Sequence, residues 1–161
     1  MPDMYDSIDL TTDFSEAAAR LGLALLCAAL VGWDREARNR GAGLRTHMMV
    51  SLGAAGFTLV AMELFEALEA RGGSGGSDPV RIMGAIVGGV GFLGAGAIIQ
   101  DGGRVRGLTT AAGLWVIAAV GMASGAGYYA GAIMMTLLAL VTIVVLRHVE
   151  RHIPDRDQPD S

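Results

Sequence analysis

Two short segments hold the residue types most able to bind a charged ligand. The first reads Asp34-Arg35-Glu36 and continues into Gly43-Leu44-Arg45-Thr46-His47. The second reads Gln100-Asp101-Gly102-Gly103 and continues into Arg106-Gly107-Leu108-Thr109-Thr110. Both end in Gly-Leu-x-Thr at the entrance to an apolar run, and both are preceded by an aspartate at the exit of the previous run. Thr46 and Thr110 are placed to cap helix N-termini, where backbone N–H groups point outward. With Arg45 and Arg106 beside them, they would make an anion or lipid-headgroup site. Asp34, Glu36 and Asp101 are alternatively oxygen ligands of the kind magnesium accepts. A structural salt-bridge network anchored at an interface is the third reading, and the residues alone leave all three open. The candidate cluster is therefore Asp34, Arg35, Glu36, Arg45, Thr46, Asp101, Arg106, Thr109 and Thr110.

Other chemistry is sparse. Glu16 and Arg20 are four residues apart and so share one helix face; they read as an ion pair at the end of an apolar span, or else as part of an ion path. His148 and His152 share the same spacing but lack a third metal ligand, and cationic histidines near a helix C-terminus are the ordinary explanation. The single cysteine, Cys27, excludes an internal disulfide framework and a four-cysteine zinc site. Gly89-x-Gly91-x-x-Gly94 matches the dinucleotide fingerprint formally, but it lies inside an uncharged apolar run rather than between a strand and a helix. No nucleophile–base pair or metal cluster is visible. The expectation is a protein that is not an enzyme and carries no cofactor.

The elements that must position the two segments are membrane spans. Apolar residues make up 52% of the 161 and charged residues 17%, with a pI near 5.2. Soluble domains carry roughly 25% charged residues, and a nucleic-acid binder would be basic. A membrane helix needs about 20 mostly apolar residues. Five stretches fit: 17–33, 46–65, 82–100, 108–123 and 128–146. The last two come from a charge-free run, 107–146, broken at Ser124-Gly125-Ala126-Gly127, where small residues can turn the chain. Around the spans, residues 1–15 form a polar acidic segment, 16–152 the five-helix domain and 153–161 a disordered tail. The Gly/Ser-rich loop 72–77 has flexible-linker composition. Small residues allow close helix approach in lipid, and Gly84, Gly88, Gly91, Gly94 and Gly96 are read as the packing positions of the third span, with Gly53, Gly56, Gly113 and Gly121 doing the same elsewhere.

All twelve basic residues are arginine. Nine lie in 34–45, 101–106 and the tail, against three (Arg20, Arg71, Arg81) on the alternate side. By the positive-inside rule this predicts an external N-terminus and a cytoplasmic C-terminus. Residues 1–16 hold five acids and no base, the reverse of a signal peptide.

Laid out in this order, the residues resemble the N-terminal membrane domain of the MgtC/SapB family over residues 16–127. Three blocks carry the resemblance. The first is Gly32-x-Asp34-Arg35-Glu36 leading to Ala42-Gly43-Leu44-Arg45-Thr46-His47. The second is Gly91-Phe92-Leu93-Gly94-Ala95-Gly96-Ala97-Ile98-Ile99. The third is Arg106-Gly107-Leu108-Thr109-Thr110-Ala111-Ala112-Gly113-Leu114-Trp115. Glu16 and Arg20 look like the family's opening of the first span. Many members carry asparagine at the position of Thr109 and glutamate at that of Asp34, and longer members add a soluble C-terminal domain without counterpart here.

The resemblance implies a multi-pass protein of the bacterial inner membrane. Family members are associated with growth in low magnesium, survival inside phagocytes and restraint of the ATP synthase. The expectation is an all-α bundle of five transmembrane helices. It would act as a non-enzymatic regulator linked to magnesium homeostasis, through contacts with other membrane proteins such as the ATP synthase. Its glycine faces would also suit a homo-oligomer, and no nucleic-acid partner is expected. The alternative is a transporter or channel for magnesium or another small ion. That reading needs polar residues along a path at mid-membrane depth. The sequence supplies Ser51, Thr58, Thr136 and Thr142, and no ionisable residue in the third to fifth spans.

Overall fold

The computed structural model describes residues 12–70 and 78–150, with the backbone alone at Asp101 and at 147–150. The acidic segment up to residue 11, the Gly/Ser-rich loop, the tail and His152 lie outside the described residues. Five helices form: α1 (Phe14–Glu36), α2 (Leu44–Ala70), α3 (Pro79–Ala97), α4 (Leu108–Gly125) and α5 (Tyr129–Glu150). Each is long and apolar enough to cross a membrane. A two-stranded antiparallel hairpin, β1 (Ile99–Asp101) with β2 (Arg104–Arg106), joins α3 to α4.

Local chemistry explains the boundaries. Asp78 caps α3 by accepting the Val80 N–H at 2.9 Å, with Pro79 in the first turn, where its missing N–H does no harm. The break between α4 and α5 falls where the small residues predict it. Gly127 has φ +76°, its N–H bonds the Ser124 carbonyl, and the Tyr128 N–H bonds that of Ala123, a glycine-closed helix end. The third span differs from expectation. Its helix stops at Ala97, and residues 98–100 leave it to enter the hairpin. Gly102 and Gly103, both at positive φ, make the two-residue turn that an antiparallel pair favours.

Helix α2 packs against both α1 and α4, while α3 and α5 flank α4. One core cluster joins Cys27, Ala28 and Val31 of α1 to Ile117 and Val120 of α4 and Ala132 of α5. A smaller one joins Ala54, Val90 and Ala118 across α2, α3 and α4. Large apolar residues such as Leu30, Trp33, Phe57, Phe92, Leu138 and Val145 are exposed, the reverse of a water-soluble surface and the arrangement a lipid environment accepts. The chain is a multi-pass membrane protein.

The glycines are not used as the spacing suggests. Gly84, Gly88, Gly91 and Gly96 are exposed, and a Cβ at any of them would meet no neighbouring atom within 4 Å. Of the five expected packing positions in α3, Gly94 alone meets a neighbour, Ala111 of α4. The buried side of α3 is carried by Val90 and Gly94, with the partly buried Ile86. Gly53 and Gly56 are likewise open. The close crossing lies between α2 and α4, where Gly121 and Gly125 rest on the backbone of Ser51 and Ala55. These two glycines, four residues apart on one face, bring the helix backbones together.

Candidate functional site

The two polar segments meet at one end of the bundle, formed by the C-terminal end of α1, the N-termini of α2 and α4 and the last turns of α5. Four of the predicted residues lie together in one cavity of about 490 Å3: Asp34, Arg35, Thr109 and Thr110. Thr46 and Arg106 line an adjoining cavity of about 860 Å3, which shares Arg40, Gly107 and Thr110 with the first. Arg45 is exposed on the first turn of α2 and lies outside both linings. Asp101 pairs with Arg104 through the hairpin backbone.

Each side chain has a specific task. Arg35 is 5% exposed, and its Nη2 donates to Thr110 Oγ1 at 2.6 Å. Its Nε is buried without a hydrogen-bond partner among the described residues. Asp34 Oδ1 accepts from Nε and Nη2 of Arg38, at 3.0 and 2.9 Å. That hydrogen bond holds the Arg38 guanidinium above its ordinary pKa. Glu36 turns the other way: its carboxylate accepts the Leu44 N–H at 3.0 Å and so serves the N-terminus of α2, where negative charge is favoured.

The threonines do not cap their helices. Thr46 and Thr110 both sit at the third helical position, and the Gly-Leu start of each motif marks the helix N-terminus itself. Helix α4 has Gly107 at its N-cap, with φ +90° and no side-chain cap bond. A Cβ there would overlap the Ala97 carbonyl. The tight hairpin return thus demands glycine at the position where a serine or aspartate would otherwise cap, and Thr110 is left to hold Arg35.

His47, fully buried, bonds the Gly43 carbonyl through Nδ1 at 2.9 Å. A carbonyl only accepts, so Nδ1 carries the proton. The other nitrogen faces Gly113 of α4 and has no hydrogen-bond partner among the described residues. Arg38 and Arg40 also line the first cavity, and in the sequence they stand out only through the arginine asymmetry. Their place in a loop rather than a periodic element hid their convergence with α4.

At the opposite end Arg20 bonds Glu16 through Nε and Nη2, and its Nη1 donates to the Gly125 carbonyl at 3.2 Å. Ser124 Oγ donates to the Arg20 carbonyl at 2.6 Å. The pair therefore ties α1 to the C-terminus of α4, where a cation is favoured. Glu63 of α2 accepts the Thr12 N–H at 2.9 Å. Among the described residues no group of three or more His, Cys, Asp or Glu is gathered as a metal site.

Comparison with known proteins covers most of this bundle. The family profile described as MgtC family matches residues 21–152. Protein MgtC of Brucella abortus (strain 2308) is 44% identical over 133 residues, 83% of this chain and 52% of that protein. Protein MgtC of Salmonella typhimurium (strain LT2) is 41% identical over 130 residues, 81% of this chain and 52% of that one. A protein of Escherichia coli (strain K12) named "Putative magnesium transporter YhiD" is 38% identical over 135 residues, 84% of this chain and 62% of its own length. The chain thus spans about half the length of the MgtC relatives it matches. No solved structure matches it.

Proposed function

Because the chain belongs to the MgtC family, we propose that it is a non-enzymatic inner-membrane regulator of adaptation to low magnesium, acting by contact with other membrane proteins. Its arginine-rich end would face the cytoplasm and its N-terminus the outside, the orientation that nine arginines against three favour. The observation that carries the reading is the use made of the mid-span hydroxyls. Ser51 donates to the Ala24 carbonyl, Thr58 to that of Ala54, Thr136 to that of Ala132 and Thr142 to that of Leu138. Ser51, Thr58 and Thr136 are moreover buried in the packed interior of the bundle, and the third to fifth spans hold no charged side chain with which to line an ion path. The exposed glycines of α3 further support a contact surface, since small residues let a second helix approach closely.

The competing reading is a magnesium transporter, the activity named for the Escherichia coli relative. Magnesium flux into proteoliposomes holding the folded protein separates the two. Flux above empty liposomes, lost in a variant carrying Asp34→Ala and Arg45→Ala, would overturn the regulator reading. Absence of flux, together with site-specific crosslinking from Gly88 to a subunit of the ATP synthase in cells, is the result expected.

A further inference from the structure

The cavity between α1, α4 and α5 carries more positive charge than its own acid balances. Arg35, Arg38 and Arg40 line it, and Asp34 in the same wall accepts two hydrogen bonds from Arg38. Arg35 is buried with a neutral hydroxyl as its hydrogen-bond acceptor and its Nε unmatched among the described residues, and the Asp34 carboxylate, shared with Arg38, offsets only part of the charge of the three arginines. A buried guanidinium in that state is costly unless an anion joins it. The N-terminus of α4 opens on the same cavity through Gly107, Leu108, Thr109 and Thr110. No acid lies in its first turn, and the glycine demanded at its N-cap bars a capping side chain. First-turn N–H groups have no acceptor within their own helix. Guanidiniums and helix-start N–H groups both donate, and neither suits a cation.

We propose that this cavity is a binding site for a phosphate-type oxyanion. Arg35, Arg38 and Arg40 supply fork-shaped donors that match such a group, and the Thr109 hydroxyl and the first N–H groups of α4 complete the cradle. The phosphate belongs to an anionic phospholipid headgroup or is free in solution. The site lies at the ends of spanning helices, and Ile143 and Leu146 of α5 give it an apolar flank. It stands independently of the regulator reading.

The test uses the full chain, purified in detergent and washed free of lipid. One titration compares inorganic phosphate with chloride at matched ionic strength. The other compares dihexanoyl phosphatidylglycerol with dihexanoyl phosphatidylcholine. Arg35→Gln would disturb the core, so the exposed Arg40→Gln carries the test, with unchanged melting as evidence that it folds. Arg104→Gln, at the same end but outside the cavity, is the control for general surface charge. The expected result is saturable binding of one phosphate-bearing anion, weakened at least tenfold by Arg40→Gln and less than twofold by Arg104→Gln. Binding of inorganic phosphate assigns a free anion; binding of phosphatidylglycerol alone assigns a lipid. The proposal is overturned if neither binds above its control, if phosphatidylcholine binds as well as phosphatidylglycerol, or if the two arginine variants behave alike.

Discussion

Replacing Gly121 with alanine tests the central crossing of the bundle. The added Cβ would overlap the Ser51 carbonyl oxygen and lie 3.0 Å from the Ser51 carbonyl carbon and Cα. All three are backbone atoms of a packed helix, so neither partner can rotate away. Helix α4 must retreat from α2, and a gap of about 0.5–1 Å forfeits a quarter to a half of each dispersion contact along the crossing. Overpacking of this kind costs about 1–3 kcal/mol. Alanine's helix preference over glycine, at most about 1 kcal/mol, works against that loss. The net expectation is a destabilisation of about 1–2 kcal/mol, a factor of roughly 5–30 in the unfolding constant. Gly88→Ala is the matched contrast, since its Cβ meets nothing within 4 Å and stability should hold or rise slightly. Gly125→Ala should resemble Gly121→Ala, and the double variant should lose less than the sum, because α4 has already moved. Equilibrium unfolding in mixed micelles measures all four. Equal stabilities for Gly121→Ala and Gly88→Ala would refute the assignment of the α2–α4 crossing.

Three further outcomes follow from single contacts. Thr110→Val removes the acceptor of a buried guanidinium and should cost about 1.5–3 kcal/mol in the same unfolding assay, whereas Thr110→Ser should stay near the parent. Gly107→Ala forces a Cβ into the Ala97 carbonyl at φ +90°, so thermal stability should fall further than for alanine at the open Gly96. Glu36→Ala deprives the Leu44 N–H of its partner and should cost about 0.5–2 kcal/mol; hydrogen exchange should quicken at the start of α2 while the start of α4 is unchanged.

Much of the architecture is legible in the residues because lipid allows few solutions. Spans must be long, apolar and helical, so the length of each apolar run carries the helix count. The charge-free run 107–146 divides at Gly127 because a glycine at positive φ closes α4 there. The partnership of Glu16 with Arg20 follows from a spacing of four, and the structure adds that Arg20 also caps the end of α4. The end of the third span is not legible in the sequence, because Ile98, Ile99 and Gln100 are uncharged and read as helix. Only the turn glycines that follow show that the chain there is a hairpin.

Periodicity tells which residues share a helix face, but not what that face meets. Gly84, Gly88 and Gly91 have the spacing of a packing seam, yet they point away from the bundle, while Gly121 and Gly125 form the seam. Which glycines approach a neighbour depends on where α3 docks, and that is set by contacts far apart in sequence. The same holds for the arginine-rich end. The sequence alone determined that Arg35 and Thr110 lie near helix ends at one end of the bundle. The tertiary structure decided that Arg35 turns inward to Thr110, 75 positions away, while its neighbours Asp34 and Glu36 serve Arg38 and the start of α2. The physical reason is burial: a guanidinium enclosed between helices must take whatever acceptor the packing brings within reach.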